Sequence, residues 1–255
     1  MSSPEVTIIL RATRRDSLPR AIDSALRQTF TDHEVLVVDD ACDLADVVGA
    51  FPDRRVRYHR NAERLGEAAS LRTGVELARG SLVSCLDDDD LLLPAFLERA
   101  VEQFHADPSL GVVFSNQYYE RHGRLWPRET GLEGGRHDRI LPALVRNYPI
   151  GASVNVIRRQ VWLDGERVLP VSPDAPSDIV YGIRTAMAGW PFYYIDEPLG
   201  VYRLHPGQMS ARLGVRERGV NLWSGFRFPD SELEWIRLGR VAEGHIACAA
   251  LSTTS

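Results

Sequence analysis

No lysine occurs among the 255 residues: all 30 basic residues are arginine, a bias that by itself assigns no function. Cysteine is nearly as scarce. Cys42, Cys85 and Cys248 are odd in number and far apart. They supply neither a zinc-ligand spacing nor a disulfide framework, a pattern expected of a reducing cytoplasm. No run approaches 18 apolar residues, which argues against an integral membrane segment. The opening Met1-Ser2-Ser3-Pro4-Glu5 also lacks a basic-then-apolar leader. Positive charge is not in excess either. A formal net charge of −5 gives no general attraction to nucleic acid or anionic lipid. The expectation is a cytoplasmic protein, with peripheral contact at a membrane still compatible.

What is present is an ordinary globular composition, 44% apolar and 25% charged, in a chain long enough for a full core. The first 115 residues alternate strand and helix signals. Val6–Leu10 and Leu82–Leu86 are apolar runs broken only by Thr7 and Ser84, as expected of parallel strands covered on both faces. Val35–Val38, Val56–Tyr58 and Val112–Ser115 are further strands. Between them, Ser17 is placed to cap a helix carrying Leu18, Ala21, Ile22, Ala25 and Leu26. Gly66 and Gly80 bracket a second helix whose apolar face is read as Ala69, Val75, Leu77 and Ala78, and Pro94 opens a third. This rhythm predicts a doubly wound, mostly parallel α/β sheet. Ligands of such sheets bind beyond the carboxyl ends of the strands, where Thr13, Asp39, Asp40 and Asp87–Asp90 fall.

From Asn116 the pattern loosens. Tyr118–Trp126 reads as an extended hairpin and Glu129–His137 as a Gly-rich loop. Ser153–Ile157 reads as a strand, Asp178–Ala188 as a helix and Phe192–Ile195 as a strand. The last 45 residues or so read as an amphipathic, partly helical extension compatible with a homodimer.

Asp87, Asp88, Asp89 and Asp90 are the most informative residues, because they stand between two apolar runs. Neighbouring unit charges about 5 Å apart repel by roughly 3 kcal/mol at an effective dielectric of about 20. A hard divalent cation reverses that repulsion, and such ions are commonly shared with substrate phosphates. In an extended segment Asp87 and Asp89 would face one side and Asp88 and Asp90 the other.

Taken with Val6-Thr7-Ile8-Ile9-Leu10, Glu34–Asp40, Gly74–Gly80, Ser177-Asp178, Ile195–Leu199 and Tyr202-Arg203-Leu204-His205, this tetrad resembles family 2 glycosyltransferases of the GT-A fold. The resemblance spans roughly residues 5 to 210. It implies inverting transfer of a sugar from a nucleotide diphosphate donor, with a lean toward UDP, to an acceptor hydroxyl or amine. It also implies Mn²⁺ or Mg²⁺ as cofactor. By position, Asp39 would contact the nucleobase, and Arg11, Ala12 and Thr13 would line the nucleotide. Asp87 and Asp88 would lie on the donor side, with Arg72 near a phosphate or an aspartate. Asp89 and Asp87 would hold the metal, with His205 at the metal or diphosphate. Asp178 would be the catalytic base, with Asp174 as the alternative carboxylate. The implied acceptor is a saccharide, a lipid carrier or a natural-product aglycone, and Trp126 and Tyr148 are candidate acceptor contacts. Residues 1–115 would form the nucleotide-sugar half, 116–210 the acceptor and catalytic half, and 211–255 the C-terminal helical extension.

The chain departs from the family pattern at Arg11-Ala12-Thr13 (Pro-Thr is common there), at Ser177 (usually Glu) and at Arg72 (frequently Asn). Two other classes fit parts of the sequence. A sugar-phosphate nucleotidyltransferase would use Arg11, Arg14 and Arg15, and a non-catalytic module would bind nucleotide sugars without transfer.

Overall fold

A computed structural model describes residues 3–165, 177–206 and 208. The expected C-terminal extension at 211–255 and Asp174 lie outside the described residues. In chain order the elements are β1 (Val6–Ala12), α1 (Leu18–Leu26), β2 (His33–Asp39), α2 (Ala45–Gly49) and β3 (Val56–Arg60). Next come α3 (Glu67–Leu77), β4 (Leu82–Asp87), β5 (Leu91–Leu92), α4 (Phe96–Ala106), β6 (Val112–Arg121) and β7 (Arg124–Pro127). The order continues with β8 (Gly135–His137), α5 (Leu141–Asn147), β9 (Asn155–Arg158), α6 (Arg159–Gly165), α7 (Ser177–Met187) and β10 (Phe192–Arg203).

One mixed sheet runs β3-β2-β1-β4-β9-β6-β10-β5, with β7 on β6 and β8 on β10. Its first four strands are parallel, and β1, β2 and β4 carry the mainly apolar runs expected of strands covered on both faces. Every residue of β1 and β2 is buried. Beyond β4 the sheet changes character: β9 pairs antiparallel with both β4 and β6, and β6 is parallel to β10. The sheet therefore joins the two halves expected from the sequence through continuous pairing.

Side-chain alternation along β1 divides the core into two layers. Ile8 and Leu10 pack with Leu18, Ile22, Phe96 and Leu97 of α1 and α4. Ile9 packs with Leu71 and Val75 of α3, Ile179 of α7 and Trp162 of α6.

Some local expectations change. The Ser17 hydroxyl makes no capping hydrogen bond to α1, whose Pro19 already removes one of the orphan amides. The buried face of α3 is Ser70, Leu71, Gly74 and Val75, while Leu77 is exposed. Gly74 sets that rotation, because its missing side chain lets the helix close on Ile9. The Tyr118–Trp126 hairpin forms as β6 and β7, with Arg121 paired to Arg124 across a two-residue turn. Both turn residues, His122 and Gly123, have positive φ (52° and 80°), as the favoured tight hairpin turn demands. Part of the Glu129–His137 loop is strand β8, recruited by β10. No helix of the described residues is long and apolar enough to cross a membrane.

Candidate functional site

The parallel strands end level with one another. Ala12 of β1 is opposite Asp39 of β2, and Arg11 is opposite Asp87 of β4. The acidic tetrad begins at this edge, but it does not continue as strand. The Asp90 amide donates to the Asp87 carbonyl at 3.2 Å, folding the segment into a turn. The expected alternation is thereby replaced. Asp87, Asp89 and Asp90 each present a ligand oxygen, and these oxygens lie within 4.8 Å of one another. Asp88 points instead to the loop after β1, accepting from the amides of Thr13 (2.6 Å) and Arg14 (2.7 Å). It ties β4 to that loop.

Cationic and polar groups balance the three clustered carboxylates. Arg11 donates to Asp87 through Nη2 and meets Glu67 Oε1 at 2.5 Å through Nη1. Burial acts against the Arg11 charge, but Asp87, Cys85 and Glu67 outweigh it, and its pKa lies well above the ordinary guanidinium value. Arg14 Nη1 pairs with Asp89, and His205 Nε2 lies 2.9 Å from the same carboxylate and 3.2 Å from Arg14. Burial, then Arg14 and Arg203, lower the His205 pKa, which keeps the imidazole neutral and suited to ligation. Asp90 accepts from Ser153 Oγ at 2.7 Å and from the Arg203 amide at 3.1 Å. Burial, reinforced by the Asp87 charge, pushes Asp90 up to about 7. Burial likewise raises Asp87, against the pull of Arg11.

The carboxylates at the end of β2 have different work. Asp39 is fully buried and accepts from the amides of Cys42 (2.7 Å) and Leu44 (2.8 Å) and from Tyr58 Oη (2.6 Å). It locks the loop in which Ala41 and Asp43 adopt positive φ. Asp40 accepts from Asn61, Ser70 and the Leu65 and Gly66 amides, fixing the entrance of α3. Burial raises the Asp40 pKa, but these donors outweigh it and the net shift is downward.

The remaining expected residues fall as follows. Ala12 is buried at the strand end, and Thr13 begins the loop bound by Asp88. Arg72 is exposed on α3. Asp178 occupies the first turn of α7, and its side chain lies outside what is described. Trp126 is half-buried on β7, whereas Tyr148 is only 3% exposed and packs in the core layer with Ile179. The acceptor role considered for Tyr148 is therefore corrected: its ring is core. Arg203 forms an internal ion pair with Glu120 at 3.4 Å. The sequence reading missed Asp90 as a member of the metal-competent set, together with Ser153 and Glu67. Only Asp90 carried a signal, through its place in the tetrad.

Three hard carboxylate oxygens beside a neutral imidazole fit a Mg²⁺- or Mn²⁺-type ion. The same edge carries the guanidinium groups of Arg11 and Arg14.

Comparison with known proteins bears on the family and the fold. The family model described as glycosyl transferase family 2 matches residues 7–165. An uncharacterized glycosyltransferase of Nostoc sp. (alr2836) is 33% identical over 242 residues, covering 87% of this chain and 72% of that protein. Staphylococcus aureus TarS 1–349, solved with UDP-GlcNAc, superposes with a TM-score of 0.66 at 16% identity, covering 80% of this chain and 60% of that one. The mannosyltransferase PcManGT of Pyrobaculum calidifontis, solved with GDP-Man and Mn²⁺, gives 0.61 at 21% identity, covering 82% and 60%. These two share the GT-A fold with this chain. The chain spans about half or less of three other curated relatives, 30%, 51% and 17% of their lengths.

Proposed function

The chain belongs to glycosyl transferase family 2, and from that premise we propose that it transfers a sugar from a nucleotide diphosphate donor to an acceptor hydroxyl or amine, with inversion. The observation that carries this reading is the convergence of Asp87, Asp89 and Asp90 at the carboxyl edge of the parallel strands. The ligands in the TarS and PcManGT structures, UDP-GlcNAc and GDP-Man with Mn²⁺, support a nucleotide-sugar donor. A UDP-sugar is the donor to test first.

In this proposal Asp89, Asp87 and Asp90 hold Mn²⁺ or Mg²⁺, with His205 beside them. When bound there, the ion supplies positive charge against the departing diphosphate. Arg14, released from Asp89, turns to the same diphosphate. Arg11 holds Asp87 in place and opposes its protonation. Asp39 and Asp88 act through the backbone, shaping the Asp40–Leu44 and Thr13–Arg14 loops between which the nucleoside lies. Asp39 contacts the base through that loop, because its own carboxylate is already occupied. Arg72 reaches the donor phosphates from α3. Asp178, at the start of α7, accepts the acceptor proton as the nucleophile attacks the anomeric carbon from the face opposite the diphosphate. Residues 1–115 thus serve the donor, and residues 116–210 serve the acceptor and the proton transfer.

Asp89→Ala and Asp178→Ala are each expected to fold, with transfer lowered by at least ~100-fold, the lower range for lost acid–base assistance. Radiolabelled sugar transfer by the purified variants measures this. Near-normal turnover in Asp178→Ala would remove that residue from its role.

A further inference from the structure

The hairpin β6–β7 and the end of β10 carry a surface that the donor chemistry leaves unused. Tyr119 of β6 is in register with Trp126 of β7 on one side and with Tyr202 of β10 on the other. Residues opposite one another across strands share a face, so the three rings form one row. Tyr119 and Trp126 have centroids 6.0 Å apart at 45°, and Tyr119 and Tyr202 are 5.8 Å apart at 81°. All three are half-buried rather than packed into the core. On the opposite face, Arg203 and Glu120 pair at 3.4 Å between β10 and β6. A cross-strand aromatic pair is enough to stabilise a hairpin. A row of three, left partly open, goes beyond that need.

The row is also connected to the acidic cluster. Gln208 Nε2 donates to Tyr202 Oη at 2.6 Å, and Gln208 Oε1 accepts from the His205 amide at 2.6 Å. His205 Nε2 in turn lies 2.9 Å from Asp89. The Tyr202 end of the row is therefore linked to the acidic cluster by one chain of hydrogen bonds. Each ring combines an apolar face with one polar group, a phenol hydroxyl or an indole N–H. A pyranose has the same two-sided character, with a C–H face and hydroxyl edges. A lipid tail, by contrast, calls for an enclosed apolar channel.

We propose that Trp126, Tyr119 and Tyr202 form a stacking platform for a pyranose unit of the acceptor, which makes the acceptor a saccharide. This rests on the glycosyl-transfer reading and narrows it to one acceptor class.

Saturation-transfer NMR on the full chain, with cellotetraose, chitotetraose and maltotetraose as probes, tests the platform. Calorimetry with UDP and Mn²⁺ runs in parallel. At least one tetrasaccharide should receive saturation through its ring C–H protons. Its affinity should fall about tenfold, equivalent to roughly 1.4 kcal/mol, in both Trp126→Ala and Trp126→Leu, with UDP affinity unchanged. The leucine variant keeps apolar bulk on the hairpin and removes only the aromatic face. If no tetrasaccharide binds, or all bind the variants as well as the parent, the platform is overturned. UDP binding that persists in that case leaves the transferase reading intact. Trp126-dependent saccharide binding without any nucleotide binding would uphold the platform and remove the transferase premise.

Discussion

At the scale of single residues, the site is a problem of charge placement. Three carboxylates whose oxygens lie within 4.8 Å of one another hold together only because each has a named compensation: Arg11 for Asp87, Arg14 and His205 for Asp89, Ser153 and the Arg203 amide for Asp90. Asp90 lacks a cationic partner among these, and its burial leaves it titrating at about 7 rather than 3.8. The sign of the consequence follows from proton counting. Between about 4 and 7 the unfolded chain has released this proton and the folded protein retains it. The contribution of Asp90 to stability is therefore largest at the acid end of that window, declines as pH rises through it and is level above it. Asp90→Asn, neutral throughout, is expected to flatten this part of the stability profile of the metal-free protein. Urea unfolding of both proteins across this pH range would check it, and an unchanged slope would contradict the assignment.

At the scale of elements, much was legible and some was not, for identifiable reasons. The runs at Val6–Leu10, Val35–Val38 and Leu82–Leu86 are readable as central parallel strands because both faces are buried, so no solvent-facing alternation interrupts them. The turn that gathers Asp87, Asp89 and Asp90 was not readable. It depends on Asp88 binding the Thr13 and Arg14 amides about 75 residues away, a contact that no local pattern announces. Asp39 is a milder case, since its bonds to the Cys42 and Leu44 amides are local and follow ordinary Asx-turn chemistry. The facing of α3 was misjudged because its apolar residues were taken at face value. Gly74, not Leu77, marks the side that meets the sheet, since a Cβ there would collide with fully buried Ile9. Gly74→Ala is expected to destabilise the protein by about 1–3 kcal/mol, the usual range for overpacking a tight interior. That loss should prevail over the better helix propensity of alanine. Chemical denaturation measures it, and a variant as stable as the parent would show that α3 can shift without cost.

At the scale of the whole molecule, one sheet carries both functions proposed for it. The parallel half, β3-β2-β1-β4, ends in the acidic turn, and β9 stitches it to the half that carries the aromatic row and leads to α7. The donor and acceptor surfaces proposed above are thereby joined by continuous backbone pairing. The central element of this picture is a cation held by carboxylates that in turn grips the nucleotide. Calorimetric titration of the intact protein with UDP and other nucleoside diphosphates, in Mn²⁺ and then after exhaustive chelation, addresses it directly. At least one nucleotide should bind with Mn²⁺ and lose about tenfold or more in affinity, roughly 1.4 kcal/mol, when the metal is stripped. Equal affinity with and without metal, or no binding by any of them, would contradict it.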